Sequence, residues 1–149
     1  MDLRDLYQEV ILDHNKRPRN FHALEGASHT AEGFNPLCGD RLTVHLRVEA
    51  GVVTEASFEG SGCAISKASA SMMTESVKGR RMEDVERLAE DFHRMVTAPP
   101  GAIPEIGALG KLAALAGVRE YPVRVKCATL AWHTLREALL RESPTVSTE

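Results

Sequence analysis

The sequence predicts an α+β domain in which a small antiparallel β-sheet of about three strands packs against several helices. Three patterns support this prediction. Apolar side chains recur at helical spacing in residues 3–11, residues 41–49 alternate as a half-buried strand does, and helical spacing returns after residue 63. We therefore expect a single domain over residues 1–142, followed by a flexible C-terminal tail over residues 143–149.

The first predicted helix carries its apolar side chains on one face, at Leu3, Leu6, Tyr7, Val10 and Ile11. Asp2 is a suitable cap for its N-terminus, and the Arg-Pro-Arg-Asn sequence at 17–20 indicates where it ends. Residues 19–37 are predicted to form a loop that contains one short strand.

A β-hairpin is predicted next, with Ala50-Gly51 as its turn. Alternate residues of its first strand are apolar, namely Leu42, Val44, Leu46 and Val48, and the second strand runs from residue 52 to 59. A two-residue turn pairs Glu49 with Val52 and, counted back along both strands, Cys38 with Cys63 and Asp40 with Ser61. This register gathers two thiols and a carboxylate at the open end of the hairpin.

The remaining elements are predicted to be mainly helical. A helix of small residues follows Cys63 and stops near Gly79, and an amphipathic helix then runs to the prolines at 99–100. Pro104 is suited to open a shorter helix. Residues 121–125 are predicted to be extended, and the last helix to begin at about Ala128.

Composition excludes several classes of protein. With 43% hydrophobic and 26% charged residues the chain resembles an ordinary globular protein, and a net charge of −3 argues against nucleic-acid binding through general positive charge. No apolar stretch is long enough to span a membrane, and the first residues do not resemble a secretory signal. We therefore expect a cytoplasmic protein.

The three cysteines are more typical of a thiolate site than of disulfides, because their number is odd and cytosolic thiols stay reduced. Cys63 precedes a predicted helix, where free N–H groups favour a thiolate, and Cys127 lies at a similar junction. Three thiolates and the Asp40 carboxylate would suit tetrahedral zinc. Sequence spacing does not bring Cys127 to the others, so a shared site and separate buried cysteines are both open on this argument.

Four segments resemble the motifs of the SufU/IscU/NifU-N family of iron–sulfur cluster assembly proteins. Three of them surround the cysteines: residues 35–40 (NPLCGD), 60–69 (GSGCAISKAS) and 124–132 (RVKCATLAW). The fourth is residues 11–20 (ILDHNKRPRN), and the similarity extends from about residue 3 to 141. The resemblance implies a small antiparallel sheet covered by helices, and a metal site formed by Cys38, Asp40, Cys63 and Cys127.

Two features place the chain nearer the SufU branch. IscU-type scaffolds carry His directly before the third cysteine, where this chain has Lys126, and the segment between the second and third cysteines is longer, with an insertion expected within residues 97–117. The resemblance implies a zinc-dependent sulfur acceptor that works with a pyridoxal-phosphate cysteine desulfurase. In that function Cys38 would accept the sulfur, and the metal would be kept by Asp40, Cys63 and Cys127. Arg124 and Lys126 would support the site, although solvated charge is the simpler interpretation of both.

Other functions remain open at this stage. The same ligands, Cys38, Cys63 and Cys127, would suit a scaffold that binds iron or a transient [2Fe–2S] cluster and passes it to apo-proteins, whereas a sulfur acceptor would supply a downstream cluster scaffold or apo iron–sulfur proteins. A purely structural zinc site is a third hypothesis, and a cysteine hydrolase has little support because no Cys/His/Asn set is visible.

The six histidines are predicted to lack direct chemistry. Five are expected on surface-like faces or loops, namely His14, His22, His29, His45 and His93. His133 lies on a different helical face from Cys127 and would be a poor co-ligand.

Overall fold

The computed structural model describes residues 3–99, 107–140 and 145–147. Its helices are α1 (Leu3–Lys16), α2 (Ala64–Val77), α3 (Met82–Thr97) and α4 (Pro122–Leu140), and its strands are β1 (His29–Asn35), β2 (Asp40–Glu49), β3 (Val52–Ser61) and β4 (Thr145–Ser147). A 3-10 helical segment, Gly107–Glu120, precedes α4 and is interrupted at Gly110.

The sheet has the order β3-β2-β1-β4, and β1, β2 and β3 pair antiparallel. The predicted α+β class, with three antiparallel strands packed against helices, is therefore confirmed. The structure adds β4, which pairs parallel with β1. The domain over residues 1–142 and the flexible tail over residues 143–149 stay predictions.

The β2–β3 hairpin forms as predicted, and its register agrees with the prediction next to the turn but differs by one residue beyond a bulge. Positive φ angles at Ala50 (51°) and Gly51 (77°) give the two-residue turn that suits the twist of a hairpin. Val48 then pairs with Val53, whereas Arg47 pairs with Glu55, so Thr54 is an extra residue in a β-bulge. As a result Arg41, and not Asp40, lies opposite Ser61.

The start of the last helix also differs from the prediction. Residues 122–125 are the first turn of α4 and are not extended, because Pro122 occupies the first helical position, which a proline favours. Cys127 consequently lies within α4, not before it. The predicted start of a helix at Pro104 lies outside the described residues.

The core lies between the sheet and the helices. Leu42, Val44 and Leu46 of β2 are buried on the inner face of the sheet. Helix α4 packs so closely on β1 that a Cβ atom at Gly33 would lie 1.9 Å from Thr134 Oγ1. None of the helices among the described residues has the length and apolar character needed to cross a membrane.

A buried hydrogen-bonded link joins α2 to α4. Ser69 Oγ donates to the Ala128 carbonyl at 2.6 Å and accepts from Trp132 Nε1 at 3.2 Å. The Trp132 ring stacks on Phe92 of α3 with 4.5 Å between centroids. These contacts fix the two helices that carry Cys63 and Cys127 relative to each other.

Candidate metal centre

Cys38 lies in the four-residue loop, residues 36–39, that connects β1 to β2. The Gly39 N–H donates to the Asn35 carbonyl at 2.8 Å, and Gly39 has a positive φ of 72°, which glycine adopts without steric cost. The Leu37 N–H donates to Asn35 Oδ1 at 3.3 Å. This tight turn leaves Cys38 exposed to solvent. The predicted register paired Cys38 with Cys63 across the hairpin, and the position of Cys38 in this loop shows that the pairing does not form.

Asp40 and Cys63 are joined by hydrogen bonds. Asp40 is the first residue of β2, and its side chain is fully buried. Its Oδ1 accepts from the Cys63 N–H at 2.8 Å, and its Oδ2 lies 3.8 Å from Cys63 Sγ. Cys63 caps α2, because its sulfur accepts from the Ser66 N–H at 3.4 Å. One carboxylate oxygen is thus fixed by the backbone, and the other faces the thiol.

Cys127 reaches the same place from α4, where it is buried. Its Sγ lies 3.3 Å from Cys38 Sγ and accepts a hydrogen bond from Asn35 Nδ2 at 3.8 Å. The ligand atoms of Cys38, Asp40 and Cys127 all lie within 4.8 Å of one another. The structure therefore brings Cys38, Asp40 and Cys127 together, and Cys63 adjoins this group through its contacts with Asp40.

The pKa values of the Cys63 and Cys127 thiols are shifted in opposite directions. The hydrogen bond from the Cys127 thiol, helped by the Ser66 N–H, lowers the pKa of Cys63 from 9.0 to about 7. The same hydrogen bond raises the pKa of Cys127, and burial adds to that effect. In the metal-free protein Cys63 is therefore the first of this pair to become a thiolate, as its position at a helix N-terminus favours.

The donor set fits a tetrahedral zinc ion. Zn–S bonds of about 2.3 Å place the sulfurs of a tetrahedral site about 3.8 Å apart. The 3.3 Å between Cys38 Sγ and Cys127 Sγ and the 3.8 Å between Cys63 Sγ and Asp40 Oδ2 are close to that spacing. Three soft thiolates with one carboxylate also match the ligand types that zinc prefers.

The predicted supporting residues precede Cys127 in the first turns of α4. Arg124 is exposed, and its guanidinium stacks 4.4 Å above the Tyr121 ring. Lys126 is half-buried, directly before Cys127. Neither side chain has a hydrogen bond or ion pair with a ligand residue among those that the structure describes, so their supporting role stays a prediction.

The prediction of surface-like histidines was wrong for His14, whose relative exposure is 6%. Its Nδ1 lies 2.7 Å from Ser71 Oγ on α2, a partner 57 residues away that local sequence could not indicate. His22 and His93 are exposed, and His133 is partly buried, with burial lowering its pKa.

One residue of the site was missed by sequence reasoning. Asn35 is a fully buried polar residue in direct contact with Cys127. A signal was present, because Asn is favoured at the start of turns, and here it precedes the Pro-Leu-Cys-Gly loop.

Comparison with known proteins agrees with the geometry. The family model for the NifU-like N-terminal domain matches residues 6–138. The chain is 40% identical over 141 residues to the zinc-dependent sulfurtransferase SufU of Bacillus subtilis, covering 95% of this chain and 94% of that protein. It is 41% identical over 143 residues to the iron–sulfur cluster assembly scaffold protein IscU of Thermotoga maritima, covering 96% and 99%. The crystal structure of the SUF-system cluster assembly protein FiSufU of Fervidobacterium islandicum AW-1 superimposes with a TM-score of 0.82 at 32% identity, covering 91% and 98%.

Proposed function

This chain belongs to the family of NifU-like N-terminal domains, and from that premise we propose that it is a zinc-dependent sulfur acceptor in iron–sulfur cluster assembly. The sulfur donor is a pyridoxal-phosphate cysteine desulfurase of the SufS or IscS type. Cys38 accepts the sulfur, and Asp40, Cys63 and Cys127 keep the metal. The sulfur then passes to a downstream scaffold or to apo iron–sulfur proteins.

The observation that carries this proposal is the different exposure of the clustered thiols. Cys38 is exposed in a short loop, whereas Cys63 is partly buried at a helix cap and Cys127 is buried within a helix. A persulfide on a partner protein has to be approached from solvent, and Cys38 is the thiol that such a group reaches. The other two are held by regular structure and are suited to remain as ligands.

The transfer is a thiol exchange at sulfur. The Cys38 thiolate attacks the terminal sulfur of the desulfurase persulfide, and a new S–S bond forms on Cys38. The S–S bond in the persulfide breaks, and its electron pair leaves on the cysteine of the desulfurase as a thiolate. No net oxidation occurs, because one persulfide is consumed and one is formed.

Zinc at this site would keep the thiolates deprotonated without oxidising them, since it has no redox chemistry of its own. Three thiolates and one carboxylate exceed the charge of Zn²⁺ by about two negative units, so an anionic persulfide approaching Cys38 meets repulsion. Lys126 and Arg124 are the basic residues nearest to Cys127 in the chain. We propose that they offset part of this repulsion.

The test combines metal analysis with a desulfurase assay. The protein purified from cells should carry one zinc per chain, and Cys38→Ser, Cys63→Ser and Cys127→Ser should each lower zinc content and melting temperature, because metal binding is coupled to folding. With a SufS-type desulfurase and cysteine, the wild type should stimulate alanine production and acquire a persulfide on Cys38. Ser61→Ala, at an exposed position near the same end of the sheet, is the matched control and should behave as the wild type. Unchanged zinc content after loss of any one cysteine would remove that residue from the ligand set.

A cluster scaffold is the second candidate, favoured by the 41% identity to a scaffold protein over 99% of its length. Anaerobic incubation with iron, cysteine and the desulfurase separates the two functions. A sulfur acceptor builds little cluster under these conditions. A stable [2Fe–2S] cluster at stoichiometric yield that passes to an apo-ferredoxin, without zinc-dependent stimulation of the desulfurase, would replace the sulfur-acceptor function with the scaffold.

A further inference from the structure

A fully buried amide side chain lies directly beside the candidate centre. Asn35 is the last residue of β1, with a relative exposure of 0%. A side-chain amide has two N–H donors and one carbonyl acceptor, and an unpaired buried polar group costs about 1–3 kcal/mol. The partners of Asn35 are therefore informative about why an amide is present here.

The hydrogen bonds fix which way the amide points. The Leu37 N–H, which can only donate, lies 3.3 Å from one end of the amide, so that end must be the oxygen Oδ1. The NH₂ end, Nδ2, consequently faces Cys127 Sγ at 3.8 Å and donates to the sulfur. No other orientation satisfies both neighbours, because the reverse would place a donor against a donor.

Asn35 also contacts the loop that carries Cys38. The backbone carbonyl oxygen of Asn35 accepts from the Gly39 N–H at 2.8 Å, and its side-chain oxygen accepts from the Leu37 N–H. Asn35 is therefore hydrogen-bonded to the residues on both sides of Cys38. Cys38 Sγ is thereby held 3.3 Å from Cys127 Sγ. Asn35 thus contacts both the loop that carries the exposed Cys38 and the buried thiol of Cys127.

We propose that Asn35 is a positioning residue of the metal centre. Its acceptor end shapes the loop so that Cys38 reaches Cys127, and its donor end stabilises the Cys127 sulfur as a ligand that stays bound when Cys38 leaves. Hydrogen bonds to an ionised sulfur are stronger than those to neutral groups. Loss of such outer contacts typically lowers metal affinity by about 10–100-fold. This inference rests on the proposed zinc centre.

Two substitutions remove the donor and keep an acceptor. Asn35→Asp keeps the size and the oxygen that faces Leu37, but it places an oxygen in the position of the NH₂ group. Asn35→Ser is neutral and keeps a short acceptor for the turn, but its hydroxyl is too short to reach Cys127. In competition with a chromogenic chelator, both variants should bind zinc about 10–100-fold more weakly than the wild type. In the cobalt-substituted protein, the thiolate-to-cobalt charge-transfer bands should shift or weaken.

Thr134→Val is the matched control. Thr134 is a buried residue of α4 whose hydroxyl donates to the Leu130 carbonyl of the same helix, away from the ligands. This variant should lower the melting temperature of the metal-free protein and leave zinc affinity and the cobalt spectrum unchanged. A zinc affinity and cobalt spectrum like those of the wild type in both Asn35 variants would overturn the proposal, whatever the desulfurase assay gives.

A metal-free measurement tests the loop contact independently of zinc. Oxidised glutathione should form a Cys38–Cys127 disulfide in the wild type, and peptide mass spectrometry should find it forming several-fold more slowly in Asn35→Ala, which has no side-chain acceptor for the Leu37 N–H. Equal rates would overturn the role of Asn35 in placing Cys38. A wild type that binds zinc but accepts no sulfur would instead refute the proposed function and leave the positioning role intact.

Discussion

Substitution of Gly62 by alanine should displace Asp40 from the metal centre while leaving the backbone unstrained. A Cβ atom at Gly62 would lie 2.8 Å from Asp40 Oδ1 and 3.2 Å from both Asp40 Cβ and Cγ. The backbone of Gly62 is not in the left-handed region, so alanine is compatible with its conformation. Asp40 is short and fully buried, and its carboxylate must move away from Cys63 to relieve the contact.

The size of the effect follows from the hydrogen bond that is lost. The Cys63 N–H donates to Asp40 Oδ1 at 2.8 Å, and a hydrogen bond to a charged group contributes about 1.5–3 kcal/mol. In a chain of this size, 1 kcal/mol shifts the melting temperature by about 2–4 °C, so the metal-free variant should melt about 3–12 °C lower. Because the carboxylate is also a proposed ligand, zinc affinity should fall by at least about 10–100-fold, the effect that loss of an outer contact of a ligand typically has.

Calorimetry of the metal-free protein and competition with a zinc chelator measure the two effects separately. Gly79→Ala is the control, since Gly79 has a positive φ of 82° and no atom within 4 Å of an added Cβ. It should lower stability by about 1–2 kcal/mol through backbone strain, without changing zinc affinity. If Gly62→Ala binds zinc as tightly as the wild type, Asp40 is not a ligand in the arrangement described.

Three further predictions concern Asp40, Lys126 and His14. Asp40→Cys should bind zinc at least as tightly as the wild type in competition with a chelator, because a fourth thiolate is a softer ligand than a carboxylate; a lower zinc affinity would argue against position 40 as a ligand. Lys126→His should raise the yield of reconstituted [2Fe–2S] cluster, since imidazole can ligate iron and an ammonium group cannot; an unchanged yield would show that this position does not separate the two branches. Burial lowers the pKa of His14 in the folded protein, so as the pH falls the unfolded chain binds a proton on this histidine before the folded chain does. The free energy of unfolding should therefore fall as the pH drops below about 6.5, the ordinary pKa of histidine, by at most about 1.4 kcal/mol per pH unit. Urea unfolding of metal-free wild type and His14→Gln between pH 5.5 and 7.5 checks this slope, which should be smaller in the variant; the charged groups that act on this imidazole are Asp13, Arg19, Glu75 and Lys111.

The sequence predicted the β2–β3 hairpin but not its bulge, and the reason is visible in β3. Val53 is buried at an odd position, whereas Ala56 and Phe58 are buried at even positions. Both sets can face the core only if one extra residue lies between them, and Thr54 is that residue. Because Val52 and Val53 are both apolar, alternation in the sequence did not show which of them faces the core, so the bulge could not be predicted from it.

Other features depend on contacts that no local pattern encodes. The β-branched residues of 121–125 suggested an extended segment, but packing of α4 on the sheet and the preference of Pro122 for a helix start outweigh that propensity. His14 is buried because its partner Ser71 belongs to another helix. The arrival of Cys127 beside Cys38 likewise depends on how α4 packs on β1, which spacing alone leaves undetermined.

The way each ligand is attached to the fold bears on which one can leave the metal. Moving Cys127 requires a shift of α4, whose Trp132 and Ala128 are tied to α2 through Ser69. Moving Cys63 breaks the cap of α2 and the contact with the Asp40 carboxylate. Moving Cys38 disturbs only a four-residue loop that is closed by two hydrogen bonds to Asn35. Each such bond contributes about 0.5–1.5 kcal/mol, so the loop opens at far lower free energy than either helix moves. This difference supports the proposal that Cys38 is the thiol that leaves the centre and accepts sulfur.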